Sequence, residues 1–81
     1  MDDRQKTLLE EHLELVTQIA EKYDGRGIPL TDLIHEGNLG LITAIEKWTY
    51  PEGIDFSLFA IFWIRLAITK LFPGPDSMKS G

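Results

Sequence analysis

Cysteine is absent from the 81 residues. That excludes a disulfide framework and any thiolate metal site, and a reducing, cytoplasmic setting is expected. Basic residues are scarce as well: 8 Lys and Arg stand against 13 Asp and Glu, for a net charge of −5. Non-specific affinity for nucleic acid comes from neutralising phosphates, so charge alone favours a protein partner. No apolar run follows a basic start at the N-terminus, and no secretory signal is expected. The sequence has no Gly-rich phosphate loop, no His/Glu pair at metal-ligand spacing and no nucleophile beside an evident base. Gly25-Arg26-Gly27 is too short to cradle a phosphate. The expectation is therefore a protein that is not an enzyme and needs no cofactor or metal. Strand alternation, internal repeats and low-complexity blocks are missing too, which leaves helices to build the fold.

Apolar residues make up 43% of the chain, enough for one domain with a modest core. They are densest from Ser57 to Phe72, SLFAIFWIRLAITKLF, where 12 of the 15 residues after the serine are apolar. Ser57 is the expected N-cap of a helix, and Pro73-Gly74 its stop. At helical spacing Ala60, Ile64, Ala67 and Leu71 share one face, Phe59, Trp63 and Leu66 a second, and Leu58, Phe62 and Phe72 a third. The stretch is too short to cross a bilayer, and Arg65 interrupts it. A helix that is apolar all round is either enclosed or keeps a face for a partner. So small a chain cannot enclose it, and an uncovered apolar face is expected.

Two helices precede it. Leu9, Leu13, Val16, Ala20 and Tyr23 form the stripe of the first, with Glu10, Glu11 and Glu14 on a solvated acidic face. Asp24-Gly25-Arg26-Gly27 breaks that helix. The second begins with Pro29 in its first turn, where Asp32 complements the dipole, and runs to about Trp48. Leu33, Leu41, Ala44, Ile45 and Trp48 are its inward stripe. Gly37 and Gly40 each cost roughly 1 kcal/mol against alanine inside a helix, and they open nearly the same side. Close approach by another helix or by a partner would explain them. His35, Glu36 and Asn38 make a polar cluster around them, which reads as surface hydrogen bonding, not catalysis. Thr49 to Asp55 is a turn. The expected fold is an all-α three-helix bundle over 1–72, followed by a flexible polar tail over 73–81.

The run RGIPLTDLIHEGNLGLITAIEKW, a turn, and then FSLFAIFWIRLAITK resembles the second conserved region of bacterial sigma-70-family sigma factors, from about Leu9 to Lys70. The resemblance rests on the Arg-Gly turn, the DLI-x-EGN-x-GL helix and the F-S-x-[FY]-A-x-x-W-I-R-x-A-I-[TS]-[KR] helix. It implies the three-helix region-two fold and a role in transcription initiation. It also implies that the second helix docks on the clamp helices of the RNA polymerase beta-prime subunit, through Asp32, His35, Glu36, Asn38 and Ile42. His35 stands where glutamine is usual, and Ile42 replaces another bulky apolar residue. The last helix would recognise or melt the minus-ten promoter element and hold flipped bases of the nontemplate strand. Its implied contacts are Phe56, Leu58, Phe59, Phe62, Trp63, Arg65, Leu66, Thr69 and Lys70.

Several strand-facing positions depart from the family pattern. Ile54 stands where an aromatic is common, Asp55 where a basic residue is usual, and Leu58 and Ile61 where small hydroxyl residues are. Phe59 lacks a tyrosine hydroxyl, Phe62 stands in for tryptophan, and Leu66 replaces a glutamine that can read a base edge. Between Tyr50 and Phe72, Arg65 and Lys70 are offset by Glu52 and Asp55. Phosphate neutralisation and base-edge readout are then weakened. Stacking on Phe59, Phe62 and Trp63, at about 1–3 kcal/mol per base, becomes the main source of strand affinity. Two rivals stand beside this reading. One is a sigma-like adaptor or decoy that occupies polymerase without sequence-specific DNA binding; the other is a homodimer through the third helix. A domain of a longer protein and a stand-alone sigma-like protein both fit the pattern, and nothing in the chain resembles a domain for the minus-thirty-five element.

Overall fold

Local chemistry sets the ends of three helices. The computed structural model describes residues 1–73, so the tail expected over 73–81 lies, past Pro73, outside the described residues. Helix α1 spans Asp3–Glu21 and opens with a reciprocal cap. The Asp2 carboxylate accepts from the Gln5 amide at 2.8 Å, and the Gln5 side-chain oxygen accepts from the Asp2 amide at 3.0 Å. A turn through Gly25 (φ 84°) and Gly27 (φ 100°) follows, both in the left-handed region. Helix α2 spans Leu30–Lys47. Pro29 is its N-cap and not part of its first turn; the Pro29 carbonyl accepts from the Asp32 and Leu33 amides at 3.0 and 3.1 Å.

Helix α3 spans Phe56–Thr69 and starts before the serine expected to cap it. Asp55 is the cap, its carboxylate accepting from the Ser57 amide at 3.1 Å. That amide is one an N-cap side chain reaches, so the acid takes the role and frees the serine hydroxyl. Ser57 Oγ lies instead 3.1 Å from His12 Nε2, while His12 Nδ1 lies 2.7 Å from the Leu8 carbonyl. A carbonyl can only accept, so Nδ1 donates to it, and Nε2 and the serine hydroxyl share the second hydrogen bond. The pair ties α1 to the start of α3. At the other end Lys70 is the C-cap, and Leu71 and Phe72 form a turn instead of the expected last helical residues.

Helix α2 packs on both neighbours, which touch each other less. The core comprises Val16, Ile19 and Ala20 from α1, Leu33, Leu41, Ala44 and Ile45 from α2, and Phe56, Ala60, Ile64 and Ile68 from α3. On α1 the expected stripe is displaced: Ile19 is buried, whereas Leu13 is 42% exposed. On α3 the buried row is Phe56, Ala60, Ile64 and Ile68, four residues apart, with Ala67 and Leu71 half-buried beside it. Gly37 and Gly40 mark where the neighbours come closest. A Cβ on Gly40 would lie 2.6 Å from the Trp63 carbonyl oxygen and 2.9 Å from the Ala67 Cβ. One on Gly37 would lie 2.7 Å from Val16 Cγ1. The expected close approach is thus made by α1 and α3. An aromatic cluster closes one end of the bundle: half-buried Trp48 meets Phe56 edge-on at 5.2 Å and Phe59 at 5.1 Å, and the His12 ring meets Phe56 at 4.9 Å.

Candidate functional site

Besides the acidic outer side of α1, two helix faces remain outside the core. On α2, Asp32 and His35 are exposed, and Glu36, Asn38 and Ile42 are half-buried. At 100° per residue, Asp32, His35, Leu39 and Ile42 follow one another along the outer ridge. Glu36 and Asn38 fall on opposite shoulders of that ridge, about 200° apart around the axis. Leu39, 45% exposed, stands in the middle of the ridge. Its register with His35 and Ile42 was the sequence signal for it, but only the positions of α1 and α3 reveal that nothing covers it. The Glu36 shoulder looks onto α3: Glu36, Leu39 and Thr43 face Trp63, Leu66 and Lys70 across a shallow groove floored by Gly40.

The outer face of α3 is apolar, as its composition requires. Leu58 is 67% exposed, Phe62 58% and Leu66 39%, and Arg65, Thr69 and Lys70 are exposed around them. Leu58, Ile61, Phe62, Arg65, Leu66 and Thr69 together line a shallow depression. The rings implied for base stacking are not equivalent. Phe62 stands free on one side and meets Trp63 edge-on at 5.4 Å. Trp63 is half-buried, with the Lys47 ammonium 5.4 Å from its ring centroid, and its indole N–H is buried without a partner among the described residues. Phe59 is half-buried against Trp48. Phe56, grouped with the strand-facing residues by its place in the motif, is 7% exposed and belongs to the core. The Asp55 cap makes it the first residue of α3, in line with Ala60, Ile64 and Ile68.

Polar groups on this face are partly spent within the helix. The Thr69 hydroxyl donates to the Arg65 carbonyl at 2.8 Å. Asp55, one of the two acids that offset Arg65 and Lys70, is occupied as the cap. Cations sit over rings that spacing did not connect, Lys47 over Trp63 and Arg4 over Tyr50 at 4.4 Å. Among the described residues no three His, Asp or Glu side chains gather as a metal site, and no helix is long and apolar enough to cross a membrane.

Fold and surface define a small all-α domain with one polar and one apolar helix face uncovered on adjacent helices. The family model for Sigma-70 region 2 matches residues 8–72, which takes in both of those faces. The RNA polymerase sigma factor SigA of Clostridium acetobutylicum is 54% identical over 65 residues, 80% of this chain and 17% of that protein. The chain belongs to the sigma-70 region 2 family, and it spans 17% of the length of that relative.

Proposed function

We propose that this chain acts in transcription initiation as a region-two domain, binding core RNA polymerase through α2 and the minus-ten nontemplate strand through α3. The family match across 8–72 carries this reading. The relative that is 54% identical is itself named an RNA polymerase sigma factor. On α2, Asp32, His35, Glu36, Asn38 and Ile42 surround the apolar Leu39 and form a surface for the beta-prime clamp helices. On α3, Phe62 is the main stacking platform, Phe59 and Trp63 flank it, and Leu58 and Leu66 supply apolar contact. Arg65 and Lys70 contribute phosphate contacts, and the exposed Thr69 a further contact beside them. Phe56 serves from the core by holding Phe59 and Trp48 in place. The working unit is residues 1–72, acting in the cytoplasm without a cofactor.

Three features of the α3 face favour a second reading. Leu66 offers no amide, the Thr69 hydroxyl is spent on its own helix, and Asp55 adds an acid beside the strand surface. An adaptor that occupies polymerase without reading DNA would have such a face. Two measurements separate the readings. Immobilised core polymerase should retain the chain under either; failure to retain it contradicts both. A single-stranded minus-ten oligonucleotide, titrated at two salt concentrations, should bind weakly with a shallow salt slope, since each neutralised phosphate contributes about 0.7 to it. Phe62→Ala should remove about 1–3 kcal/mol of that binding without altering the melting temperature. Retention on polymerase with no strand binding would select the adaptor.

A further inference from the structure

The outer face of α3 is complementary to itself, and we propose that a second copy of this chain covers it as an antiparallel, two-fold pair. Leu58, Phe62 and Leu66 lie within about 80° of one another around the helix, and the buried row of Ala60, Ile64 and Ile68 lies on the far side. Phe62 is at the centre of this outer face. Leu58 and Leu66 stand four residues before and after it, about 6 Å each way along the axis. A two-fold axis through Phe62 therefore sets Phe62 on the second copy's Phe62, and each Leu58 on the other copy's Leu66. All three side chains are exposed in the single chain, at 67%, 58% and 39%.

Charge selects the direction. Glu52 and Asp55 lie at the N-terminal end of the helix, Arg65 and Lys70 towards its C-terminal end. In the antiparallel register Asp55 of one copy is level with Thr69 of the other, one residue from its Lys70. A parallel pair would set acid beside acid and base beside base. The acid at position 55 serves both ends of this arrangement, since it also caps the helix that forms the interface. An isologous contact of this kind closes at two copies. Six side chains line this face, few beside the roughly 20–30 residues a side of a standard interface, so the pair is weak and forms with rising concentration. It also uses the side chains proposed for the strand, so dimer and strand exclude each other; that consequence alone rests on the proposed function.

The chain offers a clean test because it has no cysteine. Leu58→Cys and Leu66→Cys proteins, mixed in equal amounts and mildly oxidised, should cross-link to one another. Each with itself would have to bridge about 12 Å along the axis, beyond disulfide reach. Sedimentation of the unmodified chain should show a monomer–dimer equilibrium, and Phe62→Glu should raise its dissociation constant by at least about tenfold. A chain that stays monomeric up to about 200 µM, beyond a dissociation energy of about 5 kcal/mol, overturns the proposal. So does self-cross-linking that outweighs the mixed product. Release of monomers by a minus-ten oligonucleotide supports the shared face. A dimer that forms while no strand binds upholds the pair and removes the strand reading instead.

Discussion

Gly40 sits where one added methyl would collide with the main chain of another helix, 2.6 Å from the Trp63 carbonyl oxygen. Main chain inside a packed helix cannot swing aside as a side chain does. Alanine would gain about 1 kcal/mol of helix propensity but incur about 1–3 kcal/mol of overpacking. Gly40→Ala should therefore destabilise the domain. Gly37→Ala meets a methyl of Val16 at 2.7 Å, a side chain where Gly40 meets main chain, and should cost less. Urea midpoints of the two variants give the order, and a larger loss at Gly37 would show that α3 yields more readily than Val16. The oddness of both glycines was legible in the sequence because each is a local cost. What approaches them was not, since a partner and a neighbouring helix demand the same small residue. Phe56 teaches the converse: its place in the motif grouped it with strand contacts, whereas its burial follows from a cap one residue upstream.

At the level of the element, α3 depends on Asp55 in two opposed ways. Its carboxylate holds the first turn, and its charge opposes phosphate binding on the same face. Asp55→Ala should cost about 1 kcal/mol through loss of the cap. Asp55→Asn keeps a capping oxygen and removes the charge, so it should melt like the parent and bind a minus-ten strand with a steeper salt slope. Thermal melts of the two variants, with strand titrations beside them, separate the roles; equal melting of both would deny the cap. The three helices, their order and most of their spans were legible from apolar spacing and from the breaks at Gly25–Gly27 and Pro51–Gly53. The ends of α3 were not. Asp55 and Ser57 are both good caps, and the choice is made by which start places Phe56 in the core and leaves Ser57 for His12, contacts that join residues far apart in the chain.

Across the whole molecule, the core consumes one side of each helix and leaves, beside the acidic outer side of α1, two adjoining faces of different character on α2 and α3. The polar ridge of α2 and the apolar face of α3 meet along the groove floored by Gly40, between Glu36 and Leu39 on one bank and Leu66 and Lys70 on the other. The uncovered apolar face followed from composition, because 81 residues cannot enclose so apolar a helix. The inequality of its rings did not, since Phe59, Phe62 and Trp63 are alike in a sequence and differ only in what packs behind them. Leu39 belongs to the same lesson, an apolar residue whose exposure is decided by the two neighbouring helices. Polymerase binding is proposed for the α2 ridge, where Asp32 and Glu36 place part of the chain's negative charge. The most direct test is the affinity for purified core RNA polymerase, measured for the parent chain and for Asp32→Ala combined with Asn38→Ala. Both side chains lie outside the core, so the variant should keep its helical circular dichroism. We predict that it binds on the order of tenfold more weakly; an unaltered affinity in a folded double variant would contradict the assignment.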